Sequence, residues 1–178
     1  VPAGQDCVEP LQVYQSGAGV FIIRENKCLN TEAPFLYLIL GNEKALLLDT
    51  GAKPADGVAF PLKETVNRLI GGRKLALLVA HTHGHQDHLA FDYKFHARAD
   101  TTVVRTTPEA VKAYFQFNQW PEGESEVDLG GRKISVLPLP GHQEAHLAFY
   151  DQRTATVFSG DSLYPGLLTV RDWPAYRR

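Results

Sequence analysis

Two apolar runs, Phe35–Leu40 and Ala45–Asp49, stand almost back to back, separated by Gly41-Asn42-Glu43-Lys44. A strand with one wet face alternates apolar and polar residues, and these two hardly alternate. Both of their faces must therefore be covered. The turn residues between them predict a tight hairpin. Further short apolar runs predict strands at Val20–Ile23, Leu75–Ala80, Thr102–Arg105, Lys133–Leu137, His146–Tyr150 and Ala155–Phe158. One helix is expected over Val58–Ile70, ended by Gly71-Gly72. A second should run to about Phe117, capped by Thr107 with Pro108 at its first position. Covered strands alternating with helices leave an α/β layered fold as the only class that buries everything.

A chain of 178 residues with 44% hydrophobic content suits one compact domain, so residues 1–178 are expected to form a single unit. The balance of 18 Lys and Arg against 20 Asp and Glu gives no electrostatic footprint for nucleic acid. No apolar run approaches the ~20 residues of a membrane span. Neither nucleic acid nor a membrane is thus expected as a partner, which leaves a small-molecule substrate, with the oligomeric state open. Cys7 and Cys28 would pair in a secreted protein and stay free in a cytosolic one. The sequence opens Val1-Pro2 and contains no Met, which is compatible with a cleaved signal and favours a periplasmic or secreted location.

The chemistry is concentrated in one place. Of seven His, four fall between positions 81 and 88, directly after the Leu75–Ala80 run. On an extended strand His83, His85 and Asp87 would share a face and His88 would oppose them. A tight loop, helped by Gly84, turns all four inward. Imidazole nitrogens and a carboxylate oxygen suit Zn²⁺, and a set without Cys favours a catalytic site over a closed structural one.

The segment His83-Gly84-His85-Gln86-Asp87-His88 resembles the H-x-H-x-D-H signature of the metallo-β-lactamase-fold superfamily. Leu48-Asp49-Thr50-Gly51, Leu139-Pro140-Gly141-His142 and Phe158-Ser159-Gly160-Asp161 resemble that family's other landmarks, in the family's order. The resemblance implies an αββα sandwich with two zinc ions per chain. His83, His85 and His142 would hold one ion, Asp87 and His88 the other, with Asp161 bridging and Asp49 orienting a ligand imidazole. It implies a hydrolase in which a metal-bound hydroxide attacks an ester, lactone, thioester or amide carbonyl, with Asp87 orienting the nucleophile and shuttling a proton. The family usually carries one more His downstream of the bridging Asp. No His follows His146 here, so the resemblance implies a sandwich lacking its C-terminal part over these 178 residues.

Asp161 points to the glyoxalase-II-like and lactonase-like branch, because standard metallo-β-lactamases usually carry Cys or Ser there. Tyr164, three residues after Asp161, matches a catalytic Tyr of lactonases in the superfamily. Two alternatives remain on the residues alone: an iron-dependent oxidoreductase resembling persulfide dioxygenases, and a metal-binding domain without activity. His81 is expected to be structural, His96 to face solvent, and His146 to contact substrate, buttress a ligand or simply close a strand edge.

Overall fold

The computed structural model describes residues 9–54 and 59–178. The chain divides into two compact units. One comprises Val1–Ala80 with His85–Val103, the other His81–Gly84 with Val104–Arg178.

The first unit is built on a six-stranded sheet in chain order: β1 (Leu11–Gly17), β2 (Val20–Glu25), β3 (Phe35–Leu40), β4 (Lys44–Leu48), β5 (Ala76–Ala80) and β6 (Thr101–Val103). β1 through β4 pair antiparallel, and β4–β5 and β5–β6 pair parallel. The parallel step needs a crossover, which α1 (Leu62–Ile70) supplies between β4 and β5. Its Leu62, Val66 and Ile70 recur every four residues, and all three are buried. They join Leu36, Leu38, Leu47, Leu77 and Val79 in one core. Ala45–Leu48 and Leu77–Ala80 are buried throughout, as runs without alternation require. α2 (Gln86–Leu89) follows β5 after a short loop.

The second unit carries α3 (Pro108–Phe115) and a four-stranded antiparallel sheet of β7 (Ser125–Asp128), β8 (Lys133–Pro138), β9 (Leu147–Asp151) and β10 (Thr156–Phe158), ordered β10-β9-β8-β7, then α4 (Trp173–Tyr176). Thr107 caps α3 as expected, its side chain accepting from Ala110 N at 3.2 Å. Ile134, Val136, Leu147, Phe149, Val111 and Phe115 are buried in this unit.

The differences from the sequence expectation have local causes. The first helix begins at Leu62, and Val58 lies outside the described residues. The second stops at Phe115, where Gln116 turns left-handed at φ 56°. Asp49 leaves the strand line at φ 64°, so β4 stops at Leu48. The strand expected at Thr102–Arg105 is Thr101–Val103, and Ala155, at φ 53°, belongs to the turn before β10. His146 stands one residue before β9. β1, β7 and α4 are additional. Cys28 is disulfide-bonded, and the other cysteine, Cys7, lies outside the described residues. Among the described residues, no helix is long and apolar enough to cross a membrane.

Candidate metal centre

The functional side chains leave the sheets at strand ends. In the second unit, His83 lies in the short segment after β5, His142 in the β8–β9 connection, and Asp161 in a 3₁₀ turn, Gly160–Ser162, just past β10. Backbone bonds hold these segments in place. Leu147 N donates to Thr82 O at 2.7 Å, and Arg171 N and Asp172 N both donate to Gly141 O. Gly160 sits at φ 49° against Thr82, so that an added Cβ would lie 2.5 Å from Thr82 Oγ1. Only glycine lets the Asp161 turn approach this closely.

His83 and His142 are both buried, with ring centroids 4.8 Å apart at 90°. Their ligand-capable atoms lie within 4.8 Å of each other, and His83 and Asp161 are equally close. His142 Nε2 is 3.7 Å from Asp161 Oδ2. Two imidazoles and a carboxylate thus converge. The opposite ring nitrogens are engaged. His142 Nδ1 donates to Thr169 O at 2.7 Å, and His83 Nδ1 is hydrogen-bonded to Thr82 Oγ1 at 3.1 Å. Donation to a carbonyl fixes the tautomer that leaves Nε2 of His142 with its lone pair, the pattern of metal-ligating imidazoles.

In the first unit, His85 caps α2 with extended backbone, and Asp87 and His88 lie within this one-turn helix. The expected all-loop arrangement is corrected here: the loop ends at His85, and one helical turn carries Asp87 and His88. His88 Nε2 lies 3.4 Å from Asp87 Oδ2, and its Nδ1 lies 2.8 Å from Asp49 Oδ2. The adjacent His88 ring holds the Asp87 carboxyl below the ordinary carboxylate range. Asp49 is buried, and the loop after it grips α2 directly: Thr50 N donates to His88 O and Ala90 N to Gly51 O. Among the described residues of the second unit, His83, His142 and Asp161 bring imidazole nitrogens and a carboxylate oxygen together. This nitrogen-and-carboxylate set, free of thiolate, fits zinc.

Tyr164 is 43% exposed, and its hydroxyl donates to Leu167 O at 2.6 Å within its own turn. His81 is buried, with Nδ1 3.2 Å from Val104 O, and His96 is exposed, both as expected. Sequence reasoning missed Glu25. This carboxylate is 0% exposed, accepts from Asn30 Nδ2 and from Ala52 N, and lies where a Cβ on Gly51 would strike its Oε1. Burial raises its pKa to about 7, against the opposing hydrogen bonds from Asn30 and Ala52. It braces the Asp49–Ala52 loop from beneath. The only signal in the sequence is a charged residue closing an apolar strand, which ordinarily marks a solvated edge.

Residues 30–177 match the family model of the metallo-β-lactamase superfamily. The chain belongs to this superfamily. It is 27% identical over 195 residues to the acyl-coenzyme A thioesterase MBLAC2 of Homo sapiens, covering 91% of this chain and 69% of that one. It is 30% identical over 156 residues to the hydroxyacylglutathione hydrolase GloC of Haemophilus influenzae, covering 77% and 70%. Among solved structures, a metallo-β-lactamase from Hirschia baltica matches at TM-score 0.66 and 18% identity, over 92% of this chain and 78% of that one. ST1585, a superfamily protein from Sulfolobus tokodaii, matches at 0.60 and 18%, over 90% and 73%. At these identities the structures speak to fold alone, and the α/β fold class expected from the motifs is the one they share.

Proposed function

We propose that the protein is a di-zinc hydrolase of small thioesters. The observation that carries the proposal is the convergence of His83, His142 and Asp161 at strand ends, with the outer nitrogens of His83 and His142 already hydrogen-bonded. His83, His85 and His142 are assigned to one ion, Asp87 and His88 to the other, and Asp161 to both. Bound zinc would supply Lewis acidity and a water acidic enough to serve as nucleophile at neutral pH. The chain's own groups do the rest. Asp49 orients His88 through its Nδ1. Asp87, whose carboxyl His88 holds below its ordinary value, is assigned to accept a proton from the nucleophile and return it to the leaving thiolate. Tyr164 is assigned to the substrate carbonyl oxygen, which requires its hydroxyl to leave Leu167 O in the complex.

The thioester class is supported by the names of two relatives, one an acyl-coenzyme A thioesterase and one a hydroxyacylglutathione hydrolase. The disulfide at Cys28 supports a periplasmic or secreted location. The test is elemental analysis of purified protein together with hydrolysis of a panel of acyl-coenzyme A and glutathione thioesters, lactones and nitrocefin. The expected result is zinc, turnover of thioesters, loss with chelator and recovery with zinc. Iron in place of zinc would favour the oxidoreductase alternative, and bound zinc without turnover would favour a binding domain.

A further inference from the structure

We propose that His146 is a positioning residue of the metal centre, one that sets the geometry of His83 and Asp161 without binding metal itself. The inference rests on the metal-centre reading above. His146 is 0% exposed, and its ring lies parallel to that of His83, with centroids 4.8 Å apart at 12°. Its Nε2 is 2.9 Å from Ser159 O. A carbonyl only accepts, so Nε2 carries the proton and donates to the residue two positions before Asp161. The backbone of His146 completes the arrangement. Its N donates to Gln143 O at 3.1 Å, beside His142, and its O accepts from Leu139 N at 2.8 Å. The next residue, Leu147, donates to Thr82 O, next to His83.

The ring also stands edge-on to His142, with centroids 5.7 Å apart at 86°, so one buried imidazole reaches all three segments assigned metal donors in this unit. Burying a polar ring is unfavourable unless its polar atoms are engaged, so a plain core position would be filled better by Phe or Leu. The combination of a flat face against His83 and a donor toward Ser159 is what imidazole supplies and neither Phe nor Gln does alone. Phe keeps the stack and loses the donor. Gln keeps a donor at comparable reach and loses the stack.

Three variants separate these contributions: His146→Phe, His146→Gln and His146→Ala. Each is compared with the wild type for zinc affinity by competition with a chromophoric chelator, for thermal melting of the metal-free form, and for kcat and KM on a thioester substrate. Removing partners that orient metal ligands typically weakens metal binding by about 10–100-fold. His146→Ala is expected within that range, with His146→Phe and His146→Gln each recovering part of the loss. A variant that is folded without metal and binds zinc within about twofold of the wild type would overturn the inference. If His146→Ala does not fold, His146→Phe and His146→Gln decide. Long-range ¹H–¹⁵N correlation spectra of the wild type need no variant: a proton on Nε2 of His146 supports the assignment, and one on Nδ1 alone contradicts it. A wild type that binds no zinc would instead defeat the metal-centre reading itself.

Discussion

Asp49→Asn is the substitution whose effect follows most directly from the geometry. Asp49 Oδ2 lies 2.8 Å from His88 Nδ1 in a buried setting. A hydrogen bond to a charged group contributes about 1.5–3 kcal/mol, against about 0.5–1.5 for a neutral pair. Replacing the carboxylate by an amide keeps an acceptor of the same shape and removes the charge, a difference of about 1–1.5 kcal/mol, or roughly tenfold in a dissociation constant. The backbone at φ 64° should not add to this, because Asn occupies the left-handed region at least as readily as Asp. Asp49→Ala removes the acceptor altogether and adds a left-handed penalty of about 1–2 kcal/mol, which falls on folding. The assay is zinc competition with a chromophoric chelator, paired with melting of the metal-free protein. Asp49→Asn should weaken zinc binding about tenfold with little change in the metal-free melt, whereas Asp49→Ala should lower both. Zinc affinity within twofold of the wild type for Asp49→Asn would refute the assignment of this carboxylate as the partner that orients His88.

Other expectations are as direct. Gly160→Ala places a Cβ against Thr82 and should displace Asp161, lowering zinc affinity on the order of tenfold in the same titration. Tyr164→Phe should lower kcat on the thioester with KM little changed, and an unchanged kcat would assign the hydroxyl to its bond with Leu167 O alone. Arg132 is 1% exposed and pairs with the buried Asp151 through Nε at 3.2 Å and Nη2 at 2.5 Å, so Arg132→Met should cost about 3–5 kcal/mol in urea unfolding, while Arg132→Met with Asp151→Leu should recover most of it. Glu25 is protonated more readily folded than unfolded, since burial raises its pKa from 4.5 to about 7. Its contribution is full below about pH 4.5 and is lost as pH rises to about 7, a fall of about 3 kcal/mol that Glu25→Gln should flatten in unfolding measured across that interval.

The donors were legible because their chemistry is crowded into a few residues and tied to strand ends. His83, His85, Asp87 and His88 fall within six positions, Asp49 follows an apolar run directly, and His142 and Asp161 come three residues after Leu139 and Phe158. The strands β3, β4 and β5 were legible for the related reason that unbroken apolar runs have few other ways to be buried. Glu25 and Arg132 were not, because a single charge at the end of a short strand or just before one reads as solvated until tertiary packing closes over it. β1 was hidden by alternation that leaves much of the strand half-buried or exposed, and β7 by its brevity. The helical turn at Asp87 and His88 went unread because four residues give no period to detect.

None of the donors comes from within a strand. The residues that keep each unit folded, such as Leu46–Leu48 and Phe149, are thus different from those that carry the chemistry, and different again from the exposed Leu163, Tyr164 and Leu167 in the segment after Asp161. Such a separation makes the scaffold permissive to evolutionary change. Substitutions in that exposed segment escape the packing penalty that a core residue would incur, so the segment can vary while the stability reserve of the scaffold stays intact.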